Sequence, residues 1–517
     1  MTLLIGIDVG TTNIKAVLYD PSCGTVCATA SQPMITHHLG AGWSEFHPDE
    51  IWNAVNGVVR EVAGATAQGS VAAIAVASMG EAGLPLGNRQ QPLYPFIAWY
   101  DPRTEGLDRW WAEHYDPRRL YEITGQALRH TYGLNKLLWL REHRPTMYQE
   151  LTYWLSVEDY VLWRLTGRFV TDYSVASRTM AFDQRARTWS SEVLAHVDVP
   201  VEIWPTALPS GSAVGTLTQA AAADTGLDTS TIAVTGGHDH LCGALAAGLL
   251  TPDSILDSTG TAEIVLTLST EYRPSERLRT AGLSCYHYVA QGLYLVQGGF
   301  ITAGGSLAWL VKLLSGLAGN NQRAEATANG DYETLLAEAA DVPPGSRGLL
   351  WLPHFMGSGS PESDPHSRAA LLGLTIAHTR GEMVRSLLEA LCYWLRQNVE
   401  LLEEELGKEV HEIIVIGGAT KAGLWTQLKA DVTTRPVRVP DLSQATATGA
   451  ALLAGVGAGV FADEAAAVDT LAVPSNVYPS DPTDAEQYAT LYHDLYLPLY
   501  PLLKETSHKL VTMAQIL

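Results

Sequence analysis

Four short stretches of the chain combine carboxylates, hydroxyls and glycines in patterns that suit phosphate chemistry. The first is Leu4-Ile5-Gly6-Ile7-Asp8-Val9-Gly10-Thr11-Thr12-Asn13-Ile14-Lys15. A β-branched apolar run reaches Asp8, breaks at Gly10-Thr11-Thr12 and resumes through Tyr19, the pattern of two strands joined by a tight turn. Such a turn presents backbone N–H groups and two hydroxyls to a phosphate. Asp8 beside it carries the hard oxygen donors that a hydrated Mg²⁺ takes. A surface hairpin whose Asp only caps the turn is the plainer reading of the same residues. The second stretch, Ile255-Leu256-Asp257-Ser258-Thr259-Gly260-Thr261-Ala262-Glu263, repeats that order near mid-chain. Two such turns at half-chain spacing predict an internal duplication, each half offering a phosphate-holding turn to the cleft between them. In the third, Gly236-Gly237-His238-Asp239-His240 separates a strand-like run from the helix-like Leu241–Leu249. Asp239 then sits beside the positive end of a helix, which favours an ionised carboxylate. The fourth, Gly417-Gly418-Ala419-Thr420, offers backbone amides to an anion and leaves room for a flat ring.

The elements that position these residues alternate strand and helix. Val71–Ser78 has the continuous apolar character of a strand buried on both faces and runs into Met79-Gly80-Glu81. A further strand end is expected at Phe96-Ile97-Ala98-Trp99-Tyr100-Asp101-Pro102-Arg103. Open α/β folds bind ligands at the edge where such strands end, so Glu81, Trp99, Asp101 and Arg103 are expected to face a small molecule. A structural Asp101–Arg103 ion pair has equal standing. His238 and His240 flank Asp239, but no convincing third metal ligand accompanies them; His240 is expected to donate to a substrate or to pack. Elsewhere the spacing predicts helices over 51–65, 134–144, 156–166, 380–405, up to Leu314, and through Trp425 and Lys429. Trp110, Trp139, Trp154 and Trp163 are assigned to the core, Thr171-Asp172-Tyr173-Ser174 to a polar loop, 316–331 to another loop, and 481–517 to a covering helix.

A chain of 517 residues exceeds one ordinary core, so two domains are expected, 1–248 and 249–517, with a hinge near Gly248–Ser254. The net charge of −22 gives no electrostatic route to nucleic acid or an anionic membrane. The five scattered cysteines fit reduced thiols in a cytoplasmic enzyme. The apolar tract Ala445–Ala462 is too Gly/Ala-rich for a membrane span and reads as a buried helix.

Taken together, these stretches resemble the FGGY family of carbohydrate kinases over nearly the whole length. The resemblance rests on Gly6-Ile7-Asp8-Val9-Gly10-Thr11-Thr12 with Lys15, Gly42-Trp43-Ser44-Glu45, Trp99–Arg103, Lys136–Leu140, Gly236–Asp239, Asp257–Thr261, and Gly417–Ala419 through Trp425, Gln427 and Asp431. It implies an α/β fold of two duplicated ribonuclease H-like, actin-like ATPase domains flanking a cleft. It also implies ATP and Mg²⁺, with Thr11, Thr12, Lys15, Thr259, Gly260 and Thr261 about the phosphates. Gly304, Gly417, Gly418 and Ala419 would lie by the adenosine, Asp8 by the metal, Glu81 by the substrate, and Asp239 would be the catalytic base. A homodimer is common in the family. The expected reaction is phosphorylation of a primary hydroxyl of a small ketose or polyol, a pentulose such as xylulose foremost. Met79-Gly80-Glu81 leaves the sugar open. An actin-like or heat-shock-type ATPase acting through partner binding is the alternative from another class.

Overall fold

The computed structural model describes residues 2–65, 70–315 and 324–516, and is built on two sheets of matching design. In the first half β1 (Thr2–Val9), β2 (Asn13–Asp20), β3 (Thr25–Pro33), β4 (Ser70–Ser78), β5 (Ala213–Thr216) and β6 (Ile232–His238) form a sheet ordered β5-β6-β4-β1-β2-β3. In the second, β7 (Ser254–Thr259), β8 (Glu263–Ser269), β9 (Ser284–His287), β10 (Tyr294–Phe300), β11 (Glu412–Gly417), β12 (Val437–Pro440) and β13 (Ser475–Tyr478) are ordered β9-β10-β8-β7-β11-β12-β13. Each sheet has an antiparallel meander, β1-β2-β3 or β7-β8-β10. Two strands then join in parallel, β4 and β6 or β11 and β12, and an antiparallel edge strand follows, β5 or β13. The duplication expected from the two turns is thus a duplication of strand order and direction.

Helices cover both faces. The first half adds α1 (Pro48–Gly64), α2 (Val157–Thr166), the short α3 (Tyr173–Ser177) and α4 (Asp239–Ala246). The second adds α5 (Ala303–Leu314), α6 (Ala324–Ala340), α7 (Arg380–Leu406), α8 (Gly423–Thr433), α9 (Ala445–Gly457), α10 (Pro482–Leu491) and α11 (Leu499–Ile516). Strand alternation sorts the core: Leu3, Ile5, Ile7 and Val9 point to α1 and α2, while Leu4 and Val17 point to α4 and α9. That second cluster continues into Leu256, Leu266 and Ile414 of the other sheet, so α4 and α9 form the apolar seam between the halves. Small residues permit this close approach. A Cβ on Gly6 would lie 1.8 Å from the Ala447 carbonyl oxygen, and one on Gly449 would lie 1.9 Å from that of Cys242.

Several expectations change. Of the loop expected over 316–331, residues 316–323 lie outside the described residues, and 324–331 open α6. Asn and Gly there suggested a loop, but the alanines around them carry helical propensity. The polar loop from Thr171 is a short strand end, Val170–Asp172, followed by α3, which the buried Asp172 caps through the amides of Ser174 and Val175. Phe96–Ile97 pairs with Glu45 and Phe46, and Ile97 bridges Gly83, all outside the main sheets. The covering segment is two helices, α10 and α11, separated by a π turn at Tyr492–Tyr496.

Candidate active site

The ends of β1, β4 and β6 lie side by side, with Val9 and His238 both in register with Ser78. The chain leaves these ends as Gly10-Thr11-Thr12, Met79-Gly80-Glu81 and Asp239-His240, so Asp8, Glu81 and Asp239 gather at one edge. The end of β6 is shaped by a bulge between Thr235 and Gly237. A Cβ on Gly236 would lie 2.2 Å from the Val76 carbonyl oxygen, and Gly237 has φ +154°. Side chains remote in sequence hold that bulge: Gly236 N–H donates to Glu158 Oε1 at 2.8 Å, and His238 N–H to Ser174 Oγ at 2.9 Å. Burial, with Asp172 and Asp159 nearby, pushes the Glu158 carboxyl well above the usual range.

Asp239 opens α4, and its Oδ1 accepts from the His240 N–H at 2.7 Å. Burial raises its carboxyl; His240 opposes the shift, Glu81 adds to it and Arg178 opposes it. Asp8, 9% exposed, accepts no hydrogen bond among the described residues. Burial and then Asp239 push its carboxyl up to about 7 against the pull of Lys15, its cross-strand partner on β2. Two buried acids, Asp8 raised further by Asp239 and without a hydrogen-bond donor among the described residues, form a set that a hard cation would relieve. The residues therefore fit Mg²⁺. The amides of Thr11 and Thr12 make no hydrogen bond among the described residues, which leaves them free for phosphate oxygens.

Glu81 adopts φ +61°, a conformation that a side chain rarely takes without a local reason. Its side chain is held by Arg178, whose Nε donates to Glu81 Oε1 at 2.8 Å and whose Nη2 donates to the same oxygen. Glu81 Oε2 is left without a protein donor among the described residues. The Arg178 guanidinium lies 5.4 Å from each of the Tyr132 and Tyr286 rings, and Nη1 donates to Gln126 Oε1 at 3.1 Å. Trp99 is 40% exposed, and its Nε1–H donates to Thr11 Oγ1 at 3.0 Å, joining an aromatic face to the first turn. His240 is exposed at the same edge.

The Asp101 and Arg103 side chains turn to each other, away from the open edge. Both side chains are fully enclosed, with Arg103 Nε donating to Asp101 Oδ1 at 2.7 Å. Asp101 also accepts from the Ser44 N–H, and Arg103 Nη1 donates to Glu45 Oε1. Trp43 and Trp139 cover the guanidinium at 4.5 and 5.0 Å. Their role is to pin the loop carrying Trp99, the structural alternative that the sequence left open. Lys136, also buried, donates to the Trp99 carbonyl at 3.4 Å, and burial lowers its ammonium to about 8.

The second turn joins β7 to β8, with Gly260 and Thr261 exposed. Thr259 pairs with Gly417 across β7 and β11, and a Cβ on Gly304 would lie 2.2 Å from the Gly260 carbonyl oxygen. Gly304, Gly417 and Gly418 therefore border this turn, with Ala419 buried just beyond. The Thr259 side chain departs from expectation. Strand alternation turns it inward with Asp257, where its hydroxyl donates to Asp257 Oδ1 at 2.9 Å and accepts from Lys429 Nζ at 2.7 Å. Only its backbone is available to a phosphate. Lys429 also donates to Asp257 and, at 2.6 Å, to Glu263 Oε1, all three being fully enclosed. Burial and then Asp257 raise the Glu263 carboxyl to about 8. Arg178, Glu158 and Lys429 escaped the sequence reading because their partners lie 97, 78 and up to 172 residues away.

Among the described residues no helix is long and apolar enough to cross a membrane. The family models for the N-terminal and C-terminal domains of the FGGY family of carbohydrate kinases match residues 3–246 and 256–458. The xylulose kinase of Bacillus subtilis is 30% identical over 512 residues, covering 98% of each chain. The glycerol kinase of Gloeobacter violaceus is 31% identical over 473 residues, 89% of each chain. The crystal structure of xylulose kinase from Rhodospirillum rubrum superposes with a TM-score of 0.89 at 30% identity, covering 98% of this chain and 100% of that one. The architecture is accordingly the actin-like ATPase fold of sugar kinases. With these matches over nearly its full length, the chain belongs to the FGGY family of carbohydrate kinases, enzymes that phosphorylate sugars with ATP.

Proposed function

We propose that the acceptor is a primary hydroxyl of a small ketose or polyol, foremost a pentulose such as xylulose, and that Asp239 is the general base. The observation that carries this reading is the convergence of Asp8, Glu81 and Asp239 on one strand edge, with Trp99 bonded to the first turn. Glu81 Oε2 accepts from a sugar hydroxyl while Arg178 holds Oε1. Trp99 covers the apolar face of the sugar, and His240 donates at its rim. An alcohol is a weak nucleophile, so the gain comes from alignment and from a carboxylate that receives its proton. The sugar oxygen bonds to the γ-phosphorus, the bond from that phosphorus to the β,γ-bridging oxygen breaks, ADP leaves, and the hydroxyl proton passes to Asp239. Burial makes Asp239 a stronger base than a solvated carboxylate, and the His240 N–H fixes its Oδ1. The amides of Thr11 and Thr12, with Lys15, receive phosphate oxygens on one side, and those of Gly260 and Thr261 do so on the other. Gly304, Gly417, Gly418 and Ala419 border the adenosine. Asp8 would hold Mg²⁺, which when bound neutralises phosphate charge.

The test is a panel of ketoses and polyols in a coupled assay of ADP formation. A pentulose is expected to give the highest kcat/KM, with D-xylulose the first compound to try. Preference for glycerol by tenfold or more over every pentulose would overturn the substrate assignment while leaving the kinase chemistry intact.

A further inference from the structure

We propose that His37, His47 and Glu50 form a site for a divalent transition-metal ion of the zinc type, distinct from the phosphotransfer edge. His37 lies in the two-residue strand His37–His38, His47 directly precedes α1, and Glu50 stands in its first turn. One donor atom from each side chain falls within 4.8 Å of the other two. His37 Nε2 is 2.7 Å from Glu50 Oε2, and the two imidazole rings are 4.1 Å apart, tilted by 35°. Two imidazoles and one carboxylate suit zinc, with a position left for water, whereas an all-oxygen cluster would suit magnesium or calcium.

Among the described residues, the His37–Glu50 bond and the His37–His47 ring contact do not use the donor atoms of His47. His47 occupies the N-cap position of α1, yet its side chain makes no capping hydrogen bond. Its ring nitrogens have no hydrogen-bond partner among the described residues. The His37–Glu50 contact alone needs no second imidazole stacked over it. Zinc bonds of about 2.0–2.2 Å bring tetrahedral ligand atoms to about 3.3–3.6 Å apart. The side chains are partly exposed, and their rotation is the movement that would close the difference. The dipole of α1 opposes a cation at its N-terminus, and the full charges of Glu50 and Asp49 in the same turn outweigh that partial charge. A bound ion would tie the hairpin that pairs His37 with Glu45 to α1. Because Glu45 braces Arg103, the ion would stiffen the wall behind Trp99.

The experiment is calorimetric titration of the chelator-treated full chain with ZnCl₂ at pH 7.5, alongside His47→Ala, Glu50→Gln and the remote control His411→Ala. His47 is exposed and caps nothing, so its alanine variant keeps the fold. The wild type and His411→Ala are expected to bind one zinc more than His47→Ala, with at least tenfold weaker binding at that site in Glu50→Gln. Zinc is also expected to raise the melting temperature of the wild type but not of His47→Ala. Unchanged stoichiometry and affinity in His47→Ala, or absence of saturable binding in the wild type, would overturn the site.

Discussion

Replacing Lys429 with methionine removes a charge from the sealed network under the second phosphate turn and keeps most of its volume. Lys429, Asp257 and Glu263 are all fully enclosed, and the lysine is the group to which both acids bond. Removing one partner of a buried ion pair costs about 3–5 kcal/mol, because the remaining charge can neither reach water nor find a new partner. Here the cost depends on pH. The Glu263 carboxyl is raised from 4.5 to about 8 on folding, so the folded chain keeps a proton that the unfolded chain releases. Stability from this group is therefore greatest at low pH, falls as pH rises from about 4.5 to about 8, and levels off above. Lys429 lowers that carboxyl, so in Lys429→Met the decline continues beyond pH 8. Urea denaturation of the wild type and Lys429→Met at pH 6, 7.5 and 9 is expected to show a gap that widens with pH and reaches about 3–5 kcal/mol. Adding Glu263→Gln to Lys429→Met is expected to recover part of it. A gap below about 1 kcal/mol, or one that stays constant from pH 6 to pH 9, would refute the reasoning.

Two further outcomes concern the first half. Arg178→Met frees Glu81 from its fixed orientation and is expected to raise the sugar KM at least tenfold while changing the ATP KM less than threefold, as steady-state kinetics would show. Equal increases for both substrates would disprove a role confined to the sugar pocket. Burial favours the neutral form of the Glu158 carboxyl, so Glu158→Gln is expected to retain turnover within about threefold, while Glu158→Ala loses the acceptor for Gly236 and falls at least tenfold. Equal losses in the two variants would show that the charge, not the bond, matters.

Much of this arrangement was readable in the chain because it is local. The turn at Gly10-Thr11-Thr12, its echo at Gly260-Thr261 and the glycines before Asp239 are contiguous signatures, and two copies of one pattern predicted two copies of one sheet. The inward turn of Thr259 follows from strand alternation continuing one residue further than the Gly/Thr turn suggested. For Asp101 and Arg103 the chain leaves two readings open, a ligand-facing strand end and an ion pair; the preceding strand has only two residues, pairs outside the main sheets, and the ion pair forms. The supports could not be read in this way. Arg178 follows a five-residue helix with no periodicity to mark it, and Glu158 lies on the apolar face of α2. Their work appears only when folding brings them to Glu81 and Gly236.

The central claim is that the Asp239 carboxylate, just past the end of β6, takes the proton of the sugar hydroxyl. It is tested most directly by Asp239→Asn, assayed by single-turnover transfer of phosphate from ATP to the best sugar of the panel. The amide keeps the shape and the hydrogen bond from His240 but has no affinity for a proton. General-base catalysis of this kind contributes about 10²–10⁴-fold. The account predicts a loss in that range, with the affinities for ATP and for sugar each changed by less than about fivefold; a turnover rate within tenfold of wild type would contradict it.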